Sequence, residues 1–397
     1  MKILMLSSRI PYPLTAGFRI RIYNEAKQLK QAGHQVDLLF LSRRGDMEKY
    51  GSALYGVFTT VRAVPFSPVK AGGQLFSALF HPGYPFQVAL YQNGGFASAL
   101  YSVYAQYDMI IANHIRTAEY LKQLPEDKII LDLHDAISYN YYNAIQLSRG
   151  LKKLLYLTEY RRVLHYECCC SRQYKKTVLI SEKDRQWLIS HGASAKNLHV
   201  IPLAVRDDIS VPPKDYHKDR HAIAFLGKMS YQPNADAVRW FVRKVFPLLR
   251  KKEPELQFYI MGIEPPKDIQ DLGGHSGISV TGFMENPFLL LSKMKVSVVP
   301  IQNGAGTQNK LLESMMLGVP VVASRIAAEG IAGSDGRELL IADSPQQYAE
   351  HILSLLHSES LRERIGRDGQ RLIENKYTWN SLTTQWLSLL SSSDRKD

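Results

Sequence analysis

Short apolar runs alternate with amphipathic helical segments along the first forty residues of the chain. An apolar run at residues 3–6 ends at two serines and is followed by a loop that contains prolines and Gly17. A helical spacing of apolar residues covers 22–29, Gly33 can end that helix, and residues 36–41 form a second apolar run. A strand, a glycine- and proline-containing loop, a helix and a strand make a βαβ unit, which predicts a parallel sheet covered by helices.

The same alternation continues along the chain and predicts further strands in both halves. They are expected at 108–112, 129–133, 178–180, 222–226, 257–261, 296–300 and 320–323. Residues 65–105 are rich in aromatic residues, glycine and proline, and we expect irregular loops and short helices there. Residues 149–176 are expected to be helical, and prolines among polar residues at 201–218 mark a domain boundary.

The predicted fold class is therefore α/β, with two doubly wound, Rossmann-like domains. The first domain is expected at residues 1–201 and the second at 202–375, with a last helix at 376–397 that returns to the first domain. Ligands of open parallel sheets bind beyond the carboxyl ends of the strands, so the loops that follow the predicted strands are the candidate site.

Composition narrows the class of protein further. The 397 residues are 45% hydrophobic and 22% charged, which excludes a disordered chain, a collagen and a coiled coil. The three cysteines are adjacent, at positions 168–170, and this spacing suits neither a disulfide framework nor a metal site. No apolar stretch reaches the roughly 18–20 residues of a membrane-spanning helix, and the first apolar run is too short for a signal peptide. We therefore expect a cytoplasmic protein.

The net charge of +12 is concentrated in the first half of the chain. Residues 1–200 hold 25 of the 49 basic residues but 14 of the 37 acidic ones, so this half carries +11 and the second half +1. The basic segment 149–176 is interpreted as a surface for the inner face of the cell membrane, with a solvated amphipathic helix as the alternative. The residues expected to contact lipid are Arg149, Lys152, Lys153, Arg161 and Arg162.

A strand, a glycine loop and a helix between residues 296 and 320 form the most informative motif. The loop contains Gly304 and Gly306, Thr307 is a candidate N-cap, and Gly318 can end a helix of about ten residues. Lys310 then lies in the first turn, where a cation opposes the helix dipole unless an anion shares the site. Glycine amides, a helix N-terminus and a lysine together would bind a phosphate or diphosphate.

Glu313 follows Lys310 by three residues and lies on the same helix face. A carboxylate beside a phosphate site is suited to binding neutral hydroxyls such as a ribose diol. The alternative is an ordinary surface Lys–Glu pair, which the strand–glycine–helix context disfavours.

Residues 304–322 read G-x-G-x-x-x-K-x-x-E-x-M-x-x-G-x-P-V-V, and this pattern resembles glycosyltransferase family 4. These group 1 glycosyltransferases are retaining enzymes of the GT-B fold, in which two Rossmann-like domains face a central cleft. The M-x-Y-x-P-N run at 229–234, the G-H-x-V run at 33–36 and the L-H-D run at 133–135 are also similar to family motifs.

The resemblance implies transfer of a sugar from a UDP- or GDP-linked donor to a hydroxyl of a glycan or lipid-linked acceptor, in bacterial cell-surface polysaccharide assembly. It implies no metal and no cofactor besides the donor substrate. The implied donor-binding residues are Gly17, Lys228, Asn234, Phe283, Gly304, Gly306, Thr307, Lys310, Glu313 and Glu329. The candidates for acceptor binding are Arg19 and His114.

His134, Asp135 and Lys310 are the catalytic candidates. A neutral His134 imidazole could bond a sugar hydroxyl, and Asp135 could set its tautomer or position the acceptor. A histidine at a strand end is also often a satisfied structural group, and that alternative stays open.

Two departures from the family pattern matter for the donor site. Ala305 stands where many members have the first glutamate of an E-x7-E pair, and Pro233 stands where many have a lysine. We therefore predict that Lys310 takes over part of the phosphate binding. The missing glutamate leaves a nucleotide-sugar epimerase or a phosphorylase of the same fold as an alternative. A nucleic-acid-binding protein is a further alternative from charge, but no nucleic-acid-binding motif supports it, so we expect no nucleic acid partner.

Overall fold

The computed structural model describes residues 1–14, 16–80, 83–207, 209, 221–302 and 308–391. It divides into two compact units: Met1–Leu203 with the segment from Leu382 onward, and Ala204–Ser381. Each unit has its own parallel sheet and its own buried apolar core. The prediction of an α/β chain with two Rossmann-like halves is confirmed.

The first unit has a seven-stranded sheet in the order β3-β2-β1-β4-β5-β6-β7. Its strands are β1 (Lys2–Ser7), β2 (Gln35–Ser42), β3 (Val61–Pro65), β4 (Met109–Asn113), β5 (Ile129–His134), β6 (Thr177–Leu179) and β7 (Leu198–Val200). Its helices are α1 (Gly17–Gln31), α2 (Asp46–Val57), α3 (Pro68–Leu79), α4 (Phe86–Leu90), α5 (Gly94–Tyr101), α6 (Ile137–Leu147), α7 (Gly150–Gln173) and α8 (Glu182–Ser190). The central strands β1, β4 and β5 are buried apolar runs, as expected for a parallel sheet covered on both faces.

The second unit has a six-stranded sheet in the order β10-β9-β8-β11-β12-β13. Its strands are β8 (Ala222–Leu226), β9 (Gln257–Met261), β10 (Ile278–Gly282), β11 (Val296–Val299), β12 (Val321–Ala323) and β13 (Leu340–Ile341). Its helices are α9 (Gln232–Lys244), α10 (Phe246–Lys252), α11 (Lys267–Asp271), α12 (Pro287–Leu291), α13 (Asn309–Met316), α14 (Arg325–Ala328), α15 (Pro345–His357) and α16 (Glu359–Lys376). The last helix, α17 (Trp379–Ser391), runs from this unit into the segment that belongs to the first.

The strand order places a candidate site in each sheet. In the first sheet, β2 and β3 lie on one side of β1, and β4 to β7 lie on the other side. The second sheet reverses in the same way between β8 and β11. Loops diverge at such a switch point and leave a crevice at the carboxyl ends of the strands, where ligands of these folds bind.

Several elements differ from the sequence prediction. Short helices joined by loops occur at residues 65–105, as expected, and helices α3 to α5 cover more than half of this segment. Strands β3, β7, β10 and β13 lie outside the strands expected from the hydrophobic pattern. Each lies at a sheet edge, and β3 and β10 are mostly exposed or half-buried, so neither presents a continuous apolar run. Within the described ranges, no helix is long and apolar enough to cross a membrane.

Candidate active site

Lys310 is the central residue of the second unit's candidate site. It occupies the second position of α13, is 8% exposed, and sits beyond the buried strand β11. Its ammonium donates to Asn234 Oδ1 at 2.9 Å and to Gln308 Oε1 at 3.0 Å. The alternative of a surface Lys–Glu pair is therefore wrong, because the lysine is buried and bonded to two amide oxygens.

The start of α13 differs from the prediction. The helix begins at Asn309 with Gln308 as its N-cap, so the predicted N-cap at Thr307 is displaced by one residue. Gly318 has a φ of +69° just after the helix, as predicted for a helix stop. Gly304, Gly306 and Thr307, predicted to bind the donor, lie outside the described residues, and so does Ala305.

Two glycines allow the loops after β8 and β9 to approach each other closely. The Gly227 amide donates to the Met261 carbonyl at 2.9 Å. Gly262 has a φ of +144°, and a Cβ there would lie 1.9 Å from the Gly227 carbonyl oxygen. A Cβ on Gly227 would in turn lie 2.7 Å from Asn234 Nδ2 and 3.2 Å from Lys310 Cε. Glycine at both positions therefore lets Asn234 and Lys310 pack against the backbone.

The environment of Lys310 lowers the proton affinity of its amine. Burial lowers the pKa of its ammonium to about 8, and the nearby Glu313 carboxylate opposes that shift. The ammonium is thus mostly charged at pH 7 but only about half charged at pH 8. A desolvated cation of this kind gains more from a bound anion than an exposed lysine does.

Lys228 and Glu264 form a second polar group in this unit. Lys228 Nζ lies 2.9 Å from Glu264 Oε2, and the Ser230 hydroxyl donates to the same oxygen at 2.6 Å. Glu264 follows β9 with a φ of +54°, a conformation that non-glycine residues seldom adopt. Sequence reasoning missed Glu264 as a partner of Lys228, since they are 36 residues apart.

The other predicted donor residues are more dispersed. Phe283, just after β10, is 78% exposed, and Glu329, at the C-terminus of α14, is also exposed. Glu313 is half-buried on α13. Gly17 belongs to the first unit, where it begins α1. Of the predicted donor residues, the structure brings together Lys310, Asn234 and Lys228, because Asn234 accepts from the Lys310 ammonium and donates to the Lys228 carbonyl, each at 2.9 Å.

His114 and His134 form the centre of the first unit's candidate site. His134 ends β5 and His114 follows β4, and both have positive φ, +66° and +68°. Their rings stack with centroids 4.2 Å apart, which the neighbouring positions of β4 and β5 allow. Burial lowers the pKa of both imidazoles well below the usual range, and nearby arginines lower both further. Both rings are therefore neutral at pH 7 and can bond hydroxyl groups.

Asp132, which sequence reasoning missed, holds His134 in place. Its carboxylate lies 3.3 Å from His134 Nε2 and accepts from the His134 main-chain amide at 3.2 Å. The same carboxylate accepts from Arg21 Nε at 2.8 Å, and Arg21 also pairs with Glu25 at 2.9 Å. Arg21 and Glu25 are charged residues on the buried face of α1, and that position was the available sequence signal.

Asp135 and Arg19 lie near this group in the first unit. Burial raises the pKa of Asp135 to about 7, and the neighbouring Asp184 carboxylate raises it further. In the described hydrogen bonds and ion pairs, the carboxylate at the His134 ring is that of Asp132, so a tautomer-setting role for Asp135 stays a prediction. Arg19 donates to the Pro13 carbonyl at 3.4 Å and flanks the Phe18 ring, which lies 5.6 Å from His114. No cluster of metal-ligating side chains occurs in the described part of either unit.

Comparison with known proteins supplies the context for both sites. A family model described as group 1 glycosyl transferases matches residues 220–358. An uncharacterized 44.6 kDa protein in the cps region of Klebsiella pneumoniae is 23% identical over 95% of this chain and 96% of its own length. The capsular polysaccharide biosynthesis glycosyltransferase CapM of Staphylococcus aureus is 28% identical over 46% of this chain and 50% of its own.

A solved structure, Anabaena HepE in complex with UDP, shares the fold with a TM-score of 0.67 and 15% identity. The structural alignment covers 99% of this chain and 100% of the HepE chain. The two parallel-sheet units and these matches define an enzyme of the GT-B class. Residues 220–358 form a group 1 glycosyl transferase domain, and the chain is a transferase enzyme.

Proposed function

We propose that this glycosyltransferase transfers a sugar, with retention, from a UDP- or GDP-linked donor to a hydroxyl of a lipid-linked glycan during cell-surface polysaccharide assembly. The names of the Klebsiella and Staphylococcus relatives support the pathway, and the UDP bound by HepE supports the donor class. In this proposal the second unit binds the donor and the first binds the acceptor.

The observation that carries the proposal is the buried ammonium of Lys310 at the start of α13. Cleavage of the donor releases a diphosphate, and its developing negative charge needs preorganised cations and dipoles. Lys310, Lys228 and the N-terminus of α13 would supply them. Asn234 and Gln308 hold the ammonium in position before the donor arrives, so little reorganisation is needed at the reaction step.

The neutral imidazoles of the first unit would act on hydroxyl groups. His134 is fixed by Asp132, so its ring can bond a donor-sugar hydroxyl with a defined orientation. A half-buried Asp135, about half protonated at pH 7, could position the acceptor hydroxyl. The proposed reaction needs no metal, and turnover should therefore persist in EDTA.

The proposal is tested by measuring donor affinity in lysine variants. Lys310→Ala should weaken binding of the preferred nucleotide sugar by about 10- to 100-fold, since a charge-assisted contact to phosphate is lost. Lys251→Ala, an exposed lysine at the end of α10, is the matched control and should bind as the wild type does. Unchanged affinity in Lys310→Ala would contradict the assignment. Product analysis with the wild type separates glycosyl transfer from epimerisation and phosphorolysis.

The exposed face of α7 supports membrane docking of the first unit. Leu151, Leu154 and Leu155 are 86%, 61% and 53% exposed, and Lys152 and Lys153 lie exposed among them. Apolar side chains beside cations suit the boundary of an anionic bilayer, and each cation near such a surface contributes about 1 kcal/mol. A merely solvated helix has no need of exposed leucines.

Sedimentation with vesicles tests this part of the proposal. The wild type should bind vesicles that contain phosphatidylglycerol at low salt, and a Lys152→Gln, Lys153→Gln double variant should bind about 30-fold more weakly. Equal sedimentation of wild type and variant would show that α7 does not contact the lipid. The Lys251→Ala protein again serves as the control for loss of a single surface charge.

A further inference from the structure

Arg9 and Arg116 form a charged group in the first unit that the proposed reaction has not used. Arg9 follows β1 and Arg116 follows β4, and these strands are neighbours in the parallel sheet. Both guanidiniums lie against Tyr91, with Cζ atoms 5.3 and 5.0 Å from the ring centre. Arg9 Nε also donates to the Tyr91 hydroxyl at 2.6 Å.

Neither arginine has a carboxylate partner among the described ion pairs. Other arginines of the described chain do form such pairs, among them Arg21, Arg185, Arg239 and Arg325. Arg116 is half-buried, and its Nε is buried without a hydrogen-bond partner in the described structure. Two neighbouring cations, one of them desolvated, are costly unless an anion binds between or beside them.

The electrostatics of Arg116 favour the binding of an anion. Burial lowers the pKa of its guanidinium, and the neighbouring positive charge of Arg9 lowers it further, against an opposing effect of Tyr91. Arg9 and Arg116 also lower the pKa of His114, so the arginine pair lies beside the stacked histidines. The His114 Nδ1 atom is buried and has no described hydrogen-bond partner. Groups suited to an anion and groups suited to hydroxyls therefore share one edge of the sheet.

We propose that Arg9 and Arg116 bind an anionic group of the acceptor, so that the acceptor is an acidic saccharide carrying a phosphate or a carboxylate. A guanidinium group can form paired hydrogen bonds to two oxygens of a planar carboxylate or of a tetrahedral phosphate. The neighbouring imidazoles then bond the hydroxyls of the same saccharide. This assignment rests on the proposed glycosyltransferase reaction and narrows its acceptor class.

Equilibrium dialysis with three sugars tests the assignment. Glucose 6-phosphate, glucuronate and glucose are dialysed against wild-type protein, both free and saturated with UDP or GDP so that the donor site is occupied. At least one acidic sugar should bind at least about 10-fold more tightly than glucose, and the two acidic sugars separate phosphate from carboxylate recognition. No preference for either acidic sugar over glucose would overturn the proposal.

Two variants assign the preference to the arginines. Arg9→Gln and Arg116→Gln should each reduce the preference about 10-fold, whereas Arg62→Gln, an exposed arginine on β3, should retain it. Arg9 is exposed, so its variant tests binding even if Arg116→Gln unfolds. A preference that survives in both variants would refute the proposal.

A nucleotide titration separates this inference from the proposed function. If Arg9→Gln or Arg116→Gln weakens UDP or GDP binding instead of acidic-sugar binding, the pair belongs to the donor site and the inference is wrong. If the wild type binds no nucleotide at all, the proposed function fails. The acidic-sugar preference is still measured in the nucleotide-free arm, so the two failures are distinguishable.

Discussion

Donor binding should draw a proton onto Lys310, because the free lysine is only partly charged near pH 8. Burial lowers its pKa to about 8, whereas a diphosphate beside the ammonium favours the charged form. At pH 8 about half of the free molecules carry the proton and nearly all of the complexes should carry it. Binding should therefore take up roughly 0.5 proton at pH 8, and more at pH 9.

The donor affinity should fall with pH for the same reason. Above pH 8 each further pH unit should weaken binding by up to about tenfold, until the pKa of the complex is reached. The contribution of Lys310 to folding stability changes with pH in the opposite direction. The pKa is lowered from 10.5 to about 8 in the folded state, so the unfolded chain binds the proton more tightly. The contribution of Lys310 to stability should thus rise between about pH 8 and 10.5.

Calorimetry of nucleotide-sugar binding in buffers of different ionisation enthalpy measures the proton uptake directly. The comparison is Lys310→Met, which keeps much of the buried volume and removes the titrating group. Ionisation of the nucleotide base contributes equally to both proteins and cancels. Equal proton uptake by wild type and variant at pH 8 and 9 would refute the role assigned to Lys310. A pH-independent affinity of the wild type would refute it as well.

Three further substitutions test the scaffold and the histidine site. Gly262→Ala should lower the free energy of unfolding by about 3 kcal/mol or more, since its Cβ would overlap a carbonyl oxygen; a cost under 1 kcal/mol in urea denaturation would contradict this. Arg21→Met leaves the buried Asp132 carboxylate without its arginine partner and should cost about 3–5 kcal/mol, against under about 1 kcal/mol for the surface-paired Arg239→Ala. His134→Ala should lower kcat about 100-fold with UDP or GDP affinity unchanged, and an unaltered kcat would remove His134 from catalysis.

The central strands were predictable because their apolar runs are local in sequence. Strands β1, β4, β8 and β9 are buried between helices, so each appears as a short, nearly continuous hydrophobic segment. The edge strand β3 was not predictable in this way. It pairs with one neighbour and exposes Arg62 and Ala63, and only the adjacent strand β2 selects the extended form.

The candidate site was predictable in part. The glycine-loop motif identified Lys310, and the L-H-D run identified His134, because each lies directly beyond a predicted strand. Their partners were not predictable, since Asn234 is 76 residues from Lys310 and Arg21 is 111 residues from Asp132. The spacing of residues along the sequence does not predict contacts between side chains that only the order of the strands brings together.

The sequence by itself determined that this chain forms two α/β halves and that glycine loops, a lysine and a histidine follow the buried strands. Those properties depend on local patterns of hydrophobicity and turn residues. Only the tertiary structure decided the electrostatic state of the groups. Burial makes Lys310 a weak base and keeps His134 neutral, and the fold places Arg9 and Arg116 against the Tyr91 ring without a described carboxylate partner. Desolvation and charge proximity depend on distances between distant parts of the chain, and the sheet order sets those distances.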